Sequence, residues 1–223
     1  LDFSLPGEQW MEPLVETALR LGFGRNAAVR AARKAVSARN RFAEALRSQG
    51  DKALENIRGR RAFVVVSRPY NGNDPMVNTD LPNKLARLGA LVIPMDFLRL
   101  PMEKVWKKHR NMYWTYGQRI IAAAEMVKSD PRLNAVYISN FGCGPDSFIE
   151  HIFSETMGDK PYLVIEIDEH AADTGVITRC EAFLDSLEAP GKPAPEARDE
   201  AEPQADLTGR TLWIPYLSDA SHL

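Results

Sequence analysis

Residues 137–148, YISNFGCGPDSF, decide the fold of this 223-residue chain. The apolar segment 135–139, which overlaps the start of this run, predicts a short buried strand. Pro145 suits the first turn of a helix, where a missing N–H loses no helical hydrogen bond, so the spacing predicts a helix over 145–157. Cys143 therefore lies on the tight turn between the carboxyl end of a strand and the amino end of a helix.

The position of Cys143 favours a functional thiol over an inert one. Gly142 and Gly144 flank it, so the backbone can turn sharply and a bulky group can approach the sulfur. A helix N-terminus also favours the thiolate, the form of cysteine that binds metals and attacks electrophiles. The alternative is a buried packing cysteine, which is the role we predict for Cys180 on the apolar stripe of a later helix.

Outward from this run, apolar segments and helical segments alternate along the chain. Strands are predicted at 62–67, 90–94, 135–139 and 162–167, and helices at 81–88, 102–110, 113–128, 145–157 and 174–187. Strands separated by helices form a parallel sheet that is covered on both faces. We therefore predict an α/β fold with a doubly wound sheet of about four to five mostly parallel strands.

Composition divides the chain into four segments. Helical spacing over 8–22 and 25–48, where Gly50 is expected to end the second helix, predicts an N-terminal helical segment before the sheet. Prolines and acidic residues with almost no large apolar side chain predict a mobile surface insertion after it. The predicted boundaries are 1–58 for the helical segment, 59–188 for the α/β domain, 189–209 for the insertion and 210–223 for a closing strand and tail.

Charge and hydropathy exclude several classes of protein. A net charge of −2 and a pI near 6.1 argue against nucleic acid as a partner. No apolar run approaches the length of a membrane span, and no signal peptide is visible. Two cysteines make no disulfide framework, so we expect a reducing, cytoplasmic location. The chain begins at Leu1 rather than Met, which suggests a processed chain or a piece of a longer one.

Ligands bind at the carboxyl ends of the strands in open α/β sheets. Charged, imidazole and thiol side chains follow the predicted strands at Arg68, Asp96, Cys143, Asp168, Glu169 and His170. Arg68 can hold an anion, or it can form a salt bridge to Asp96 or Asp168. His170 follows two carboxylates and can change its charge near neutral pH, or it is a surface or helix-capping histidine.

Four motifs in these loops carry a resemblance to a known family. They are RPYN at 68–71, IPMD at 93–96, NFGCGPDSF at 140–148 and EIDEH at 166–170. They resemble CoA-substrate-specific enzyme activases and acyl-CoA dehydratase activase-related proteins, which are relatives of 2-hydroxyglutaryl-CoA dehydratase and benzoyl-CoA reductase. Together with the helices at 8–48 and WIPY at 213–216, the resemblance covers most of the chain.

The resemblance implies a Rossmann-like lobe of a dehydratase-type iron–sulfur protein. Such proteins carry 4Fe-4S or double-cubane clusters and receive low-potential electrons from an ATP-hydrolysing activator domain, in cis or in trans. The chain has no CxxC, and a single site thiol cannot hold a cubane, which needs about four ligands. The resemblance therefore implies the C-terminal portion of an anaerobic multidomain enzyme, whose other cluster-ligating domains complete the iron–sulfur cluster. The fragment alone is expected to hold no cluster and to be inactive.

The resemblance also implies roles for individual residues. Cys143 would be a cluster ligand. Glu169 and His170 are our own candidates for proton relays beside it. Related proteins tend to pair as homodimers. The predicted cofactor-binding residues are Arg68, Gly142, Gly144 and Asp168.

Two other functions stay open on the residues alone. A doubly wound domain can be a non-catalytic module that binds a small molecule at its sheet edge. Cys143 can also be a nucleophile with His170 as its base.

Overall fold

The computed structural model describes residues 11–168 and 173–188. The elements in chain order are α1 (Glu12–Arg20), α2 (Arg25–Glu55), β1 (Ala62–Ser67), α3 (Pro69–Asn73), α4 (Leu81–Arg87), β2 (Leu91–Pro94), a 3₁₀ turn (Met95–Phe97), α5 (Met102–Lys108), α6 (Thr115–Ser129), β3 (Leu133–Asn140), α7 (Gly144–Met157), β4 (Tyr162–Ile167) and α8 (Asp173–Glu188). The predicted insertion at 189–209 and the closing strand lie outside the described residues.

The four strands of the described residues form one parallel sheet in the order β2-β1-β3-β4. β1 pairs with β2 on one side, where Ala62 lies opposite Leu91, and with β3 on the other, where Ala62 lies opposite Leu133. β4 adds to the far side of β3. The predicted α/β class, with a parallel sheet and a preceding helical segment, is confirmed.

The sheet buries both of its faces because its strands are continuously apolar. Val64 of β1 points into a core formed with α5, α6 and α7, and Val65 points into a second core formed with α4 and α8. All six residues of β1 are buried. Each large side chain there contributes about 1.5–3 kcal/mol through burial, so this strand is the centre of the fold.

The prediction that Gly50 ends the second helix is wrong. α2 continues through Gly50 to Glu55, and Gly50 is buried. A β carbon at this position would lie 1.9 Å from the carbonyl oxygen of Phe97. The helix therefore accepts the cost of glycine, about 1 kcal/mol, because only glycine lets it pack this closely against the turn after β2.

Two short elements at the carboxyl ends of strands were not predicted. Pro69–Asn73 forms the helix α3 directly after β1, and Met95–Phe97 forms the 3₁₀ turn directly after β2. Both fix the direction in which the chain leaves the sheet. In the described part of the chain, no helix combines the length and the apolar character that crossing a membrane requires.

We predict that Gly50→Ala lowers the free energy of unfolding by about 1–3 kcal/mol, because the added methyl group overlaps the Phe97 carbonyl. Gly175→Ala in α8 is the matched control, since a β carbon there meets nothing within 4 Å. The control is expected to be neutral or to stabilise by up to about 1 kcal/mol. Urea unfolding of both variants measures the difference, and equal effects would contradict the close approach.

Candidate functional site at the carboxyl edge of the sheet

The strand order creates a crevice between β1 and β3. The chain leaves β1 toward β2 on one side and returns to β3 on the other, so the order reverses between these two strands. In doubly wound sheets this reversal opens a crevice at the carboxyl ends of the two strands, where ligands bind. Arg68 follows β1 directly, and the turn with Cys143 follows β3.

Arg68 and Cys143 meet at this crevice. Cys143 is the N-cap residue of α7, with an extended backbone, and its side chain is half-buried. The Arg68 guanidinium donates a hydrogen bond from Nη2 to Cys143 Sγ at 2.7 Å. The sulfur therefore lies directly against a positively charged group. The structure thus brings together the predicted thiol and the predicted arginine.

Asp146 holds Arg68 in place from the first turn of α7. Its Oδ1 accepts a hydrogen bond from Arg68 Nε at 2.8 Å, and Arg68 Nη2 lies 2.7 Å from the same oxygen in the ion pair. The side chain of Asp146 is 3% exposed and that of Arg68 is 16% exposed, so the ion pair joins a buried carboxylate to a half-buried guanidinium. Asp146 also accepts a hydrogen bond from the backbone N–H of Asn140 at 3.3 Å. Of the alternatives left open for Arg68, the salt bridge to Asp96 does not form, since Asp96 pairs with Arg119 at 2.6 Å.

Aromatic rings complete the surroundings of Arg68. The guanidinium carbon lies 5.8 Å from the ring centroid of Tyr70 and 5.1 Å from that of Trp114. Nη1 donates a hydrogen bond to the hydroxyl of Tyr70. Burial opposes the charge on Arg68, but its hydrogen bonds to Asp146 and Tyr70 outweigh burial and raise the pKa of Arg68 above its usual value. The guanidinium is therefore a fixed positive charge next to the thiol.

Buried polar groups near the crevice lack partners among the described residues. Asn71 in α3 is fully buried, and neither its amide nitrogen nor its amide oxygen has a hydrogen-bond partner there. The same is true of the Asn140 amide oxygen and the Tyr137 hydroxyl. Burial, followed by the charges of Asp146 and Glu150, raises the pKa of Tyr137, so its hydroxyl stays neutral. Unpaired buried polar groups are uncommon in folded proteins, although another, Thr156, lies at the far end of α7 from this edge.

The remaining predicted site residues fall in three places. Gly142 adopts a positive φ of 69°, which favours glycine, and a β carbon at Gly142 or Gly144 would meet nothing within 4 Å. The space beside the thiol is therefore open on both sides. Asp168 directly follows β4 and is exposed. Glu169 and His170 lie outside the described residues.

The described residues do not form a complete metal centre. Within 11–168 and 173–188, no group of three or more histidine, cysteine or carboxylate side chains is arranged to hold a metal ion. Cys180, the other cysteine, is fully buried in the core against α4, and burial raises the pKa of its thiol to about 11. An iron–sulfur cluster needs about four ligands, and these residues offer one thiol at the site.

Three carboxylates influence one another near α7. Burial is the main reason that the pKa of Glu150 is raised, and the carboxylates of Glu166 and Asp146 raise it further. Glu150 lies on α7 and Glu166 on β4. The ionised form of Glu150 is therefore disfavoured in the folded protein.

Three site residues escaped prediction from the sequence. A carboxylate at Asp146 is explained from the sequence by the dipole of the first helical turn alone, although its spacing of three from Cys143 places both on one face of α7. That spacing was the available signal. Tyr70 and Trp114 carried no local signal, since their contact with Arg68 depends on how α3 and the start of α6 pack.

One comparison with known proteins gives a match. Residues 1–98 match the family described as the CoA enzyme activase uncharacterised domain (DUF2229). The matched residues include α1, α2, β1, β2 and Arg68, and Cys143 lies beyond them. This match confirms the resemblance for residues 1–98 and is consistent with a CoA enzyme activase-related protein. No curated protein and no solved structure matches the chain.

We predict that Asp146→Asn lowers the free energy of unfolding by about 1–3 kcal/mol, because it leaves the half-buried charge of Arg68 without its counter-ion. Glu155→Gln makes the same chemical change at an exposed position of the same helix. It is expected to change the stability by less than about 0.5 kcal/mol. Chemical denaturation of the two variants distinguishes them, and a small effect at Asp146 would show that the pair is not needed for folding.

We predict that Glu150→Gln raises the melting temperature at pH 7. The raised pKa of Glu150 means that its ionised form is disfavoured in the folded protein, so stability falls as the pH rises through its titration. The advantage of the variant should disappear below pH 4.5, the ordinary value for glutamate, where the native carboxyl is protonated in both states. Melting curves between pH 4 and pH 8, with Glu155→Gln as the exposed control, measure the effect. An advantage that does not change with pH would contradict it.

Proposed function

We propose that this CoA enzyme activase-related protein contributes Cys143 as one thiolate ligand to an iron–sulfur cluster whose other ligands come from outside the described residues. One observation carries the proposal: the half-buried Cys143 thiol lies at the reversal of strand order, hydrogen-bonded to an arginine that a buried aspartate holds in place. A packing cysteine needs neither the arginine nor the open space around its sulfur.

The chemistry of the surrounding groups supports a negatively charged ligand complex at the sulfur. Arg68 places its positive charge 2.7 Å from Sγ, and Asp146 keeps it from swinging away. The sulfur also sits at the amino end of α7, whose dipole favours negative charge. Such a cluster, when bound, supplies one-electron transfer. The residues of this chain would orient one ligand and offset negative charge.

The wider setting belongs to the same proposal. We infer that electrons reach the cluster from an ATP-hydrolysing activator, in cis or in trans, and that other cluster-ligating domains complete a dehydratase- or reductase-type enzyme. Glu169 and His170 are proposed proton relays beside it. An oxygen-free cytoplasm suits such a cluster. We also propose that two copies of this protein form a homodimer. The support for this setting is the match of residues 1–98 to the activase-related family.

A cysteine-specific iron assay tests the proposal. We predict that the natural full-length polypeptide, reconstituted anaerobically with iron and sulfide, binds iron and acid-labile sulfide, and that Cys143→Ala loses or alters this cluster. Cys180→Ala is the matched control, because it removes the only other thiol of the chain from the core rather than from the site. The control should retain the iron and the visible absorption of the parent.

Two results would overturn the ligand role. If the parent and Cys143→Ala bind equal amounts of iron, or if neither binds any, Cys143 is not a ligand. Iodoacetamide then separates the alternatives, since a nucleophilic Cys143 is alkylated faster than an ordinary thiol. Slow alkylation would leave a module that binds a small molecule without using the thiol.

A further inference from the structure

A groove of about 800 Å³ lies beside the Cys143 site without including the thiol. Its walls come from α2, from the start and end of α3, from the segment after β2 and from the first turn of α6. Pro69 and Thr115 line it, and they directly follow Arg68 and Trp114. The volume lies in the range of pockets that hold small molecules and cofactors, about 300–1,000 Å³.

Guanidinium groups dominate the charged lining of the groove. The charged residues that line it are Arg39, Arg47, Arg99, Arg119 and Asp96. Arg99 forms ion pairs with Glu44 and Asp51. Glu44 Oε2 also lies 3.7 Å from Arg47 Nη1. Counting these partners, four arginines face three carboxylates, so one positive charge remains in excess. Each guanidinium carries five donors, and hydrogen-bonding capacity is left over for an anion.

Arg119 keeps a buried donor unused. It donates to Asp96 at 2.6 Å, but its Nε is buried and has no hydrogen-bond partner within the described part of the chain. Arg119 lies in the first turns of α6, a helix of 15 residues whose N-cap, Trp114, makes no side-chain capping bond. The free N–H groups and dipole of that helix end add to the attraction for an anion at this wall.

The rest of the groove is apolar and partly exposed. Phe42 on α2 is 66% exposed and lines the groove opposite Phe97 and Leu98. The ring of Tyr116 lies 5.3 Å from the guanidinium carbon of Arg119 and adds a flat aromatic surface beside the charge. A simple inorganic anion would use the arginines and leave these side chains in water. The lining therefore suits a ligand with a charged end and an apolar body.

We infer that this groove binds an organic phosphate, a ligand that combines a phosphate or diphosphate group with a flat apolar portion. Guanidinium groups bind phosphate oxygens through paired hydrogen bonds, and Arg119 with the amino end of α6 supplies the most suitable position. The apolar portion lies along α2 against Phe42. The inference goes beyond the proposed cluster and is independent of it, since Cys143 does not line the groove.

Calorimetric titration of the full chain with ADP, inorganic pyrophosphate and adenosine tests this inference. We predict that ADP binds more tightly than pyrophosphate, because only ADP fills both parts of the groove, and that adenosine binds weakest. Arg119→Gln and Arg39→Gln should each weaken ADP binding by about tenfold, the effect of losing one charge-assisted hydrogen bond. Arg39 lies on the exposed side of α2, so its variant tests binding even if Arg119→Gln disturbs folding.

Arg30→Gln is the matched control for charge. Arg30 lies on the same helix and is exposed, but it does not line the groove, so its variant should bind ADP like the parent. Equal weakening by Arg30→Gln and Arg39→Gln would overturn the inference, because it would indicate a general field rather than a site. Equal affinity for pyrophosphate and ADP, or no binding of either, would also overturn it. None of these outcomes depends on iron at Cys143, so this inference and the cluster proposal fail separately.

Discussion

The ion pair between Arg68 and Asp146 is the constraint on which the site depends. It joins the residue that follows β1 to the first turn of the helix that follows β3, across the crevice between these strands. Asp146 is buried and Arg68 is half-buried, so each charge would be costly without the other. Because Asp146 fixes the guanidinium, the thiol of Cys143 faces a cation whose position hardly varies. The rings of Tyr70 and Trp114 also lie against the guanidinium.

Most of the fold follows from local sequence. Continuous β-branched runs such as 62–67 mark buried strands, and their separation by helical segments predicts a parallel sheet. The order of the strands has no such signal, because it is set by which faces pack together over long separations. Gly50 is a second example of long-range packing that local sequence does not reveal. The low helix propensity of glycine predicts that α2 ends there, but the helix continues, because its close packing against Phe97 requires glycine.

The candidate site is predictable as a list of residues but not as a set of partners. Cys143 and Arg68 can be predicted as site residues because they follow strands whose carboxyl ends lie at one edge of the sheet. Asp146 was missed as the partner of Arg68, since a carboxylate in a first helical turn needs no partner beyond the helix dipole. The arginine-lined groove was also out of reach, because α2 and α6 form it from residues about 70 positions apart, a separation that sequence periodicity does not register.

The central place of β1 sets a minimum size for any independently folding piece. Its pairing with β3 requires residue 133 at the earliest, and one of the two cores that cover it requires α6 and α7. A fragment cut at residue 98, the end of the family match, would keep β1 and β2 but expose a row of unpaired backbone groups along the most apolar strand of the sheet. Such edges invite pairing between molecules. During synthesis, β1 cannot pair with β3 until about 70 further residues have been made. Its apolar side chains and backbone groups are exposed on the nascent chain for that time, and chaperones can bind them.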